Sequence, residues 1–261
     1  DVLVKLEKGE LFKYYNDYDQ EGTAITSIED GSIIALSGGR KYGARGLNRA
    51  TDINRQPGST AKPLFDYAPY MEYLNGSPGD YFFDEPYAYS TGQSINDADR
   101  KYQGMITLRK GLIGSRNVTA LQAFQKVAAK DQSLIENFVH SVGINYGSAL
   151  YESASIGGFN GTNPLEMSAA YAVFGRGGYY IKPYSFTKVI FEDGTTYENK
   201  YTKEKVISEE TSYMITNVLV DTVRDSWSGS IKISGTEVAG KTGTTNLDTA
   251  TQKAQNLPAD L

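Results

Sequence analysis

No cysteine occurs anywhere in the 261 residues, and this constrains the fold more than any other feature of the chain. No disulfide framework and no thiolate-held metal can staple such a sequence, so its structure must rest on a buried apolar core. A chain of this length has room for one, in one large domain or two small ones. Hydrophobic residues make up 39% and charged residues 22%, the balance of a folded protein rather than a disordered one. The absence of thiols leaves the compartment open, since such a chain suits either redox environment. No run of about 18 apolar residues is present to cross a membrane, and the opening DVLVKLEKGE lacks the basic and apolar regions of a signal peptide. The net charge is −5, and no basic cluster stands ready to neutralise several phosphates, so nucleic acid is not an expected partner.

The order of patterns predicts an α+β fold, with an antiparallel sheet built from strands near both ends and packed against a helical middle. Residues 1–22 are polar and tyrosine-rich and read as a linker or a small edge element. AITSIEDGSIIALSGG alternates around Asp30-Gly31 and predicts a hairpin. STAKPLFDYAPYMEYL from Ser59 predicts one helix, with Pro63 in or just past its first turn. Residues 75–104 are turn-rich and read as a long loop. Four further helices are predicted, over MITLRKGLIG, VTALQAFQKVAAK, DQSLIENFVHSVGI and NPLEMSAAYAVFGRGG. Asn163-Pro164 starts the last of these and Gly177-Gly178 stops it. A second hairpin turns at Asp193-Gly194. A helix capped by Ser208 follows, with Glu209 and Glu210 in its first turn. TEVAGKTGTTN predicts a strand running into a Gly/Thr edge, and the tail from residue 247 is polar. The 20 tyrosines read as half-buried packing rather than a stacking groove. Trp227 likewise reads as packing rather than as a wall of a cleft.

The lone histidine, His140, falls in a helical pattern and reads as a surface or packed residue. Without Cys, a His cluster or a metal site, lysine is the main group left to activate a nucleophile near neutral pH. No cofactor and no metal is expected. One constellation fits: Ser59 with Lys62 three residues on, a Ser-x-Asn at Ser115 and Asn117, and a Lys-Thr-Gly at Lys241, Thr242 and Gly243. A serine at a helix N-terminus gains from the free N–H groups there. A lysine at i+3 lies on the same helix face. To act as a base it must be neutral, so its pKa must fall from ~10.4 towards ~7. Burial and a second cation are the available causes, and Lys241 is the candidate cation. The Ser-x-Asn supplies a hydroxyl for relaying a proton and an amide for gripping a peptide. The Lys-Thr-Gly edge supplies a cation and hydroxyls for a carboxylate, with glycine admitting substrate backbone.

Each pattern alone is weak. Ser-x-x-Lys also occurs at Ser185/Lys188, and about one chance match is expected at this length. That second pair lies in a strand pattern, where residues three apart face opposite ways. Ser-x-Asn also occurs at Ser94/Asn96, in the long loop. Ser115/Asn117 sits between two predicted helices, the firmer platform. Lys-Thr-Gly occurs once, and the order of the three motifs strengthens them jointly.

The flanks RATDINRQPGSTAKPL, GMITLRKGLIGSRNVTALQ, NPLEMSAAYAVFGRGGYYIKP and VAGKTGTTN, with the first hairpin, closely resemble the transpeptidase domain of class A (bifunctional) penicillin-binding proteins over residues 23–246. The resemblance implies the penicillin-binding-protein/serine β-lactamase-like fold and a peptidoglycan DD-transpeptidase. Ser59 would attack the penultimate D-Ala carbonyl of a stem peptide, and Lys62 would take its proton. Ser115 would pass a proton towards the leaving amine with help from Lys241. Asn117 would orient the substrate amide, and Thr242 and Thr244 would bind the terminal carboxylate. Gly243 and Thr245 complete the implied binding edge, and the N–H groups of Ser59 and Thr244 form the implied oxyanion hole. The implied partners are stem peptides as donor and amine acceptor, β-lactam antibiotics acylating Ser59, and a glycosyltransferase domain with a membrane anchor outside this chain. Residues 1–22 would then be the linker and 23–261 the transpeptidase domain, on the outer face of the bacterial cytoplasmic membrane. The family continues for several tens of residues past its Lys-Thr-Gly, so further strands and a C-terminal helix are expected beyond Leu261. Two alternatives stand beside this reading. One is a class A-like β-lactamase, which needs a deacylating glutamate such as Glu166. The other is a non-catalytic β-lactam sensor or cell-wall scaffold.

Overall fold

The structure, a computed structural model, describes residues 1–14, 16, 18–43, 45–226, 231 and 233–246. Its helices are α1 (Val2–Glu7), α2 (Ala68–Leu74), α3 (Leu108–Ile113), α4 (Asn117–Asp131), α5 (Ser133–Ser141), α6 (Pro164–Gly175) and α7 (Glu209–Ser226). The strands are β1 (Thr23–Thr26), β2 (Ile33–Ser37), β3 (Tyr81–Asp84), β4 (Tyr87–Ala88), β5 (Ser94–Ile95), β6 (Gly104–Thr107), β7 (Tyr179–Tyr180), β8 (Lys188–Ile190), β9 (Thr196–Glu198) and β10 (Glu204–Lys205). Among the described residues the strand ladders are all antiparallel, beside one isolated parallel bridge between Ser32 and Tyr184. The α+β class stands, but among the described residues the strands pair as five two-stranded ribbons rather than as one sheet.

The chain divides into two compact units. The first holds Asp1–Arg55, Asn137–Asn145 and Thr162–Tyr213. Its hairpin pairs Thr23 with Ser37 and Thr26 with Ile33 around a bulge. The turn is set by Gly31 at φ +78°, a conformation that glycine adopts without cost, and by Asp30 Oδ1 accepting the Ser32 N–H at 3.0 Å. α6 begins as its sequence dictates. Asn163 Oδ1 accepts the Glu166 N–H at 2.9 Å and Pro164 takes the first helical position, where no N–H is needed. The helix packs on the hairpin, with Thr26 Oγ1 and Ser168 Oγ 2.8 Å apart. Arg176 at its end donates to the carbonyls of Ile28 and Ser27 at 2.5 and 2.7 Å.

The second unit holds Gln56–Glu136, Tyr146–Gly161 and Met214–Leu261. Its core is the inner face of α4, where Val118, Leu121, Phe124 and Val127 are buried. Leu64, Phe65 and Tyr67 of the preceding helical run are also fully buried. Each such side chain contributes about 1.5–3 kcal/mol on leaving water. The Tyr67 hydroxyl keeps a partner in the core, 3.0 Å from Thr119 Oγ1, and Phe65 packs on Phe159 with ring centres 5.0 Å apart.

The structure departs from four local expectations. The helix expected over 59–74 is helical throughout but changes pitch twice: a 3₁₀ turn over Gly58–Ala61, a π turn over Pro63–Tyr67, then α2. Two prolines six residues apart explain it. Pro63 and Pro69 have no N–H to donate, so the ladder re-forms through Lys62 N to Ser59 O and Ala68 N to Pro63 O. The stretch 75–104 is not one loop, because β3, β4 and β5 form within it, and MITL, at the start of an expected helix, instead lies mostly in β6. β-Branched and aromatic residues at Tyr81–Asp84 and Gly104–Thr107 satisfy one another across a four-residue register. The strand expected over 236–246 makes no ladder among the described residues beyond an isolated Ile233–Thr236 bridge. The backbone of Gly240 instead donates to Leu219 O at 3.2 Å. Trp227 and the tail from 247 lie outside the described residues.

Candidate active site

The second unit gathers the three motifs. Ser59 sits in the first turn of the 3₁₀ segment and lines a cleft of about 490 Å³ together with Ser115, Asn117, Thr242 and Thr244. Gly58 makes the turn possible. Its φ is +55°, a Cβ there would collide with the Thr244 backbone, and a Cβ on Gly157 would in turn strike the backbone of Gly58 itself. Gly243 is equally confined, because a Cβ would strike the Pro57 carbonyl and Thr60. The Lys-Thr-Gly run thus lies directly on the turn that carries Ser59, even though no strand ladder among the described residues holds it.

Lys62 is 0% exposed. Its Nζ donates to the Ser115 carbonyl at 2.6 Å and to Asn117 Oδ1 at 2.7 Å, and stands 3.4 Å from Ser115 Oγ. Lys241, 9% exposed, donates to the same Ser115 Oγ at 2.8 Å and to the Thr242 carbonyl at 2.9 Å. Two ammonium groups therefore converge on one hydroxyl. Burial first and the neighbouring Lys241 second push the Lys62 pKa down to about 7. Burial lowers Lys241 to about 8. Burial thus makes both side chains readier to give up a proton than a lysine in water, and Lys62, which also faces Lys241, the more so.

Ser115 occupies the break between α3 and α4. Its φ is +53°. The Arg116 N–H bonds Gly111 O at 2.8 Å and the Ser115 N–H bonds Leu112 O at 3.1 Å, the paired bonds of a Schellman termination whose left-handed position usually holds glycine. Asn117 opens α4, and its Nδ2 donates to Asn96 O at 2.7 Å. The Ser-x-Asn at 94–96 is thus a neighbour of the one at 115–117, with Ser94 paired to Ala88 in a short ribbon.

The remaining expected residues take distinct places. Thr242 and Thr244 are exposed on the cleft wall. Thr245 instead faces Gln56, with its Oγ1 3.2 Å from Oε1. Ser185 and Lys188 are both exposed, Lys188 opening β8. His140 is exposed in the last turn of α5. Glu166 is committed to its own helix start, where its Oε2 accepts the Thr162 hydroxyl at 2.6 Å. Among the described residues no group of His, Asp and Glu is placed to hold a metal ion.

Sequence reasoning missed the acids. Arg116, 4% exposed, spreads its guanidinium over Asp84 Oδ2 at 2.9 Å, Asp97 Oδ2 at 3.0 Å and Asp99 Oδ1 at 2.9 Å. Burial and the adjacent Asp84 carboxyl push Asp97 up to about 6. Asp66 lies wholly buried in the π turn, and neither of its carboxyl oxygens meets a hydrogen-bonding group among the described residues. Burial raises its pKa well above the usual range against the pull of Lys62. The missing signals were Pro69, which announces the π turn, and the acids of the long stretch, whose irregular spacing carries no pattern.

The family model for the penicillin binding protein transpeptidase domain matches residues 22–258. Penicillin-binding protein 1A/1B of Bacillus subtilis is 38% identical over 242 residues, covering 91% of this chain and 26% of that protein. Penicillin-binding protein 1A of Streptococcus pneumoniae is 34% identical over 248 residues, 91% of this chain and 34% of its own. The chain therefore spans about a quarter to a third of the length of these relatives. Among solved structures, the D,D-transpeptidase domain of a peptidoglycan glycosyltransferase from Eggerthella lenta superposes with TM-score 0.72 at 19% identity, covering 89% of this chain and 68% of that one. Penicillin-binding protein 1A from Haemophilus influenzae gives 0.69 at 24%, covering 85% and 36%. These two likenesses establish the fold. A buried lysine beneath a serine turn, a serine–asparagine arm and an apposed Lys-Thr-Gly run, matched by the family model over nearly the whole chain, place this protein in the penicillin-binding protein transpeptidase domain family.

Proposed function

We propose that this chain is the peptidoglycan cross-linking domain of a class A penicillin-binding protein and works through a serine acyl-enzyme. The observation that carries the reading is Lys62: fully buried, three residues after Ser59, and held near neutrality beside Lys241. Ser59 Oγ attacks the penultimate D-Ala carbonyl of a stem peptide as its proton passes to Lys62 Nζ. The new C–O bond forms an oxyanion that the N–H groups of Ser59 and Thr244 receive. The C–N bond to the terminal D-Ala then breaks, and the proton leaves Lys62 through Ser115 Oγ to the departing amine. Asn117 orients the substrate amide. Lys241, Thr242, Gly243 and Thr244 form the edge that holds the terminal carboxylate and the peptide backbone, with Thr245 beside it against Gln56. In the second half an acceptor amine attacks the acyl carbon and gives its proton to Lys62. The C–Oγ bond breaks, and the proton returns to Ser59. Water in place of the amine gives DD-carboxypeptidase side activity.

A β-lactam acylates Ser59 by the same first half. Residues 1–22 serve as the linker to a glycosyltransferase domain and membrane anchor, and 23–261 belong to the transpeptidase domain on the outer face of the membrane. The test is covalent labelling by a fluorescent penicillin followed by peptide mapping. Label on Ser59 that is lost in Ser59→Ala is expected; a folded wild-type protein without label refutes the reading.

A further inference from the structure

Ser115 holds a backbone conformation that a residue with a Cβ disfavours, at φ +53°. Such a residue persists only where its surroundings over-determine it. The surroundings begin one residue on. The Arg116 guanidinium is fixed in three directions by Asp84 from β3 and by Asp97 and Asp99 from the segment between β5 and β6. It also donates to the Lys101 carbonyl. Asp97 grips the chain a second time, since its Oδ1 accepts the backbone N–H of Asn117, and that of Val118 at 3.4 Å. The turn is clamped at Arg116 and at the head of α4, and Ser115 lies immediately before the clamp.

We infer that Asp84, Asp97, Asp99 and Arg116 are positioning residues, a cradle that keeps the Ser115 hydroxyl on Lys241 and the Asn117 amide on Lys62. This rests on the acyl-enzyme reading above. Releasing the clamp lets Ser115 relax out of the left-handed region, and both polar groups of the Ser-x-Asn arm then move off the two lysines. Asp97 and Asp99 also line the cleft, so the rival explanation is direct contact with the ligand.

Stopped-flow acylation with a fluorescent penicillin separates the two, because positioning acts on the acylation rate constant and ligand contact acts on the binding constant that precedes it. Asp99 is half-exposed, so Asp99→Asn is expected to fold. It should slow acylation several-fold with binding unchanged. Arg116→Lys, which cannot serve three carboxylates at once, should slow it about 100-fold, the scale of a 1 Å misplacement. Asp97→Asn gives an independent readout. The charged groups facing Asp97 are Asp84, Arg116 and Lys62. Its charge supports the Lys62 ammonium, so its removal should move the acid limb of acylation to lower pH, which loss of stability alone would not do. Weakened binding at an unchanged rate constant in Asp99→Asn and Arg116→Lys overturns the cradle in favour of ligand contact. Wild-type kinetics in both variants overturns it outright. A wild-type chain that never labels refutes the acyl-enzyme reading instead, and so the two failures are distinguishable.

Discussion

Two stretches of this chain carry the same four-residue pattern, and they have become different things. At Ser59–Lys62 the lysine is sealed from solvent, held by two acceptors and set beside a second ammonium. At Ser185–Lys188 both side chains are exposed, and Lys188 is an ordinary member of the β8–β9 ribbon opposite Glu198. The spacing is identical, and the surroundings differ. A lysine becomes a base when water is taken from it and a like charge is brought near, and neither condition is written in the interval between two letters.

The sharpest way to break this contrast is to remove each lysine. Lys62→Ala should cost about 10³-fold in acylation by a penicillin, within the range of a lost general base, measured as label formed per second. Wild-type rates there would end the assignment of Lys62.

A pH profile sharpens it further. Acylation should rise as Lys62 deprotonates near 7 and fall as Lys241 loses its charge near 8, giving a bell. Since Lys241 depresses Lys62, Lys241→Gln should raise the Lys62 pKa and shift the acid limb upward in pH. A limb that stays in place would show that the two ammonium groups do not sense each other.

A smaller effect separates stability from reactivity at the serine–asparagine arm. Ser115→Gly relieves the left-handed conformation and should stabilise the fold by roughly 1 kcal/mol, a rise of about 3 °C in Tm, while acylation falls. A lower Tm would show that the serine fits its turn without strain. The least change is expected in the other stretch: Lys188→Ala should alter stability by less than about 0.5 kcal/mol in chemical denaturation and leave labelling untouched.

What could be read from the residues alone follows the same line. Local chemistry was legible: Asp30-Gly31 turned the first hairpin, Asn163-Pro164 opened α6, Ser208 accepted the Thr211 N–H at 3.1 Å, and the motif residues met as their order suggested. The cation depressing Lys62 was legible as well, because few other cations stood within a motif. Interactions between distant segments were not. Nothing near Arg116 announces that Asp84, 32 positions away, will sit on its Nε, and nothing at Asp66 foretells a buried carboxyl with no hydrogen-bonding group on it among the described residues. The change of pitch after Ser59 needed both prolines to be weighed together. The Lys-Thr-Gly run has strand composition, yet among the described residues it lies unladdered against Gly58.

Gly58 has a consequence for how such a protein can change over time. The backbones of three segments meet there with no side chain between them, so even one methyl group on Gly58 would push the Thr244 backbone away and displace Ser59 with it. A lineage under selection by an inhibitor of this site has no viable first step at that point, since no replacement is small enough to be tried and kept. Escape must be sought in the outward-facing wall, at positions such as Thr242 and Thr244 whose side chains are exposed. The same closeness that makes the serine turn possible thus narrows the routes by which the site can drift.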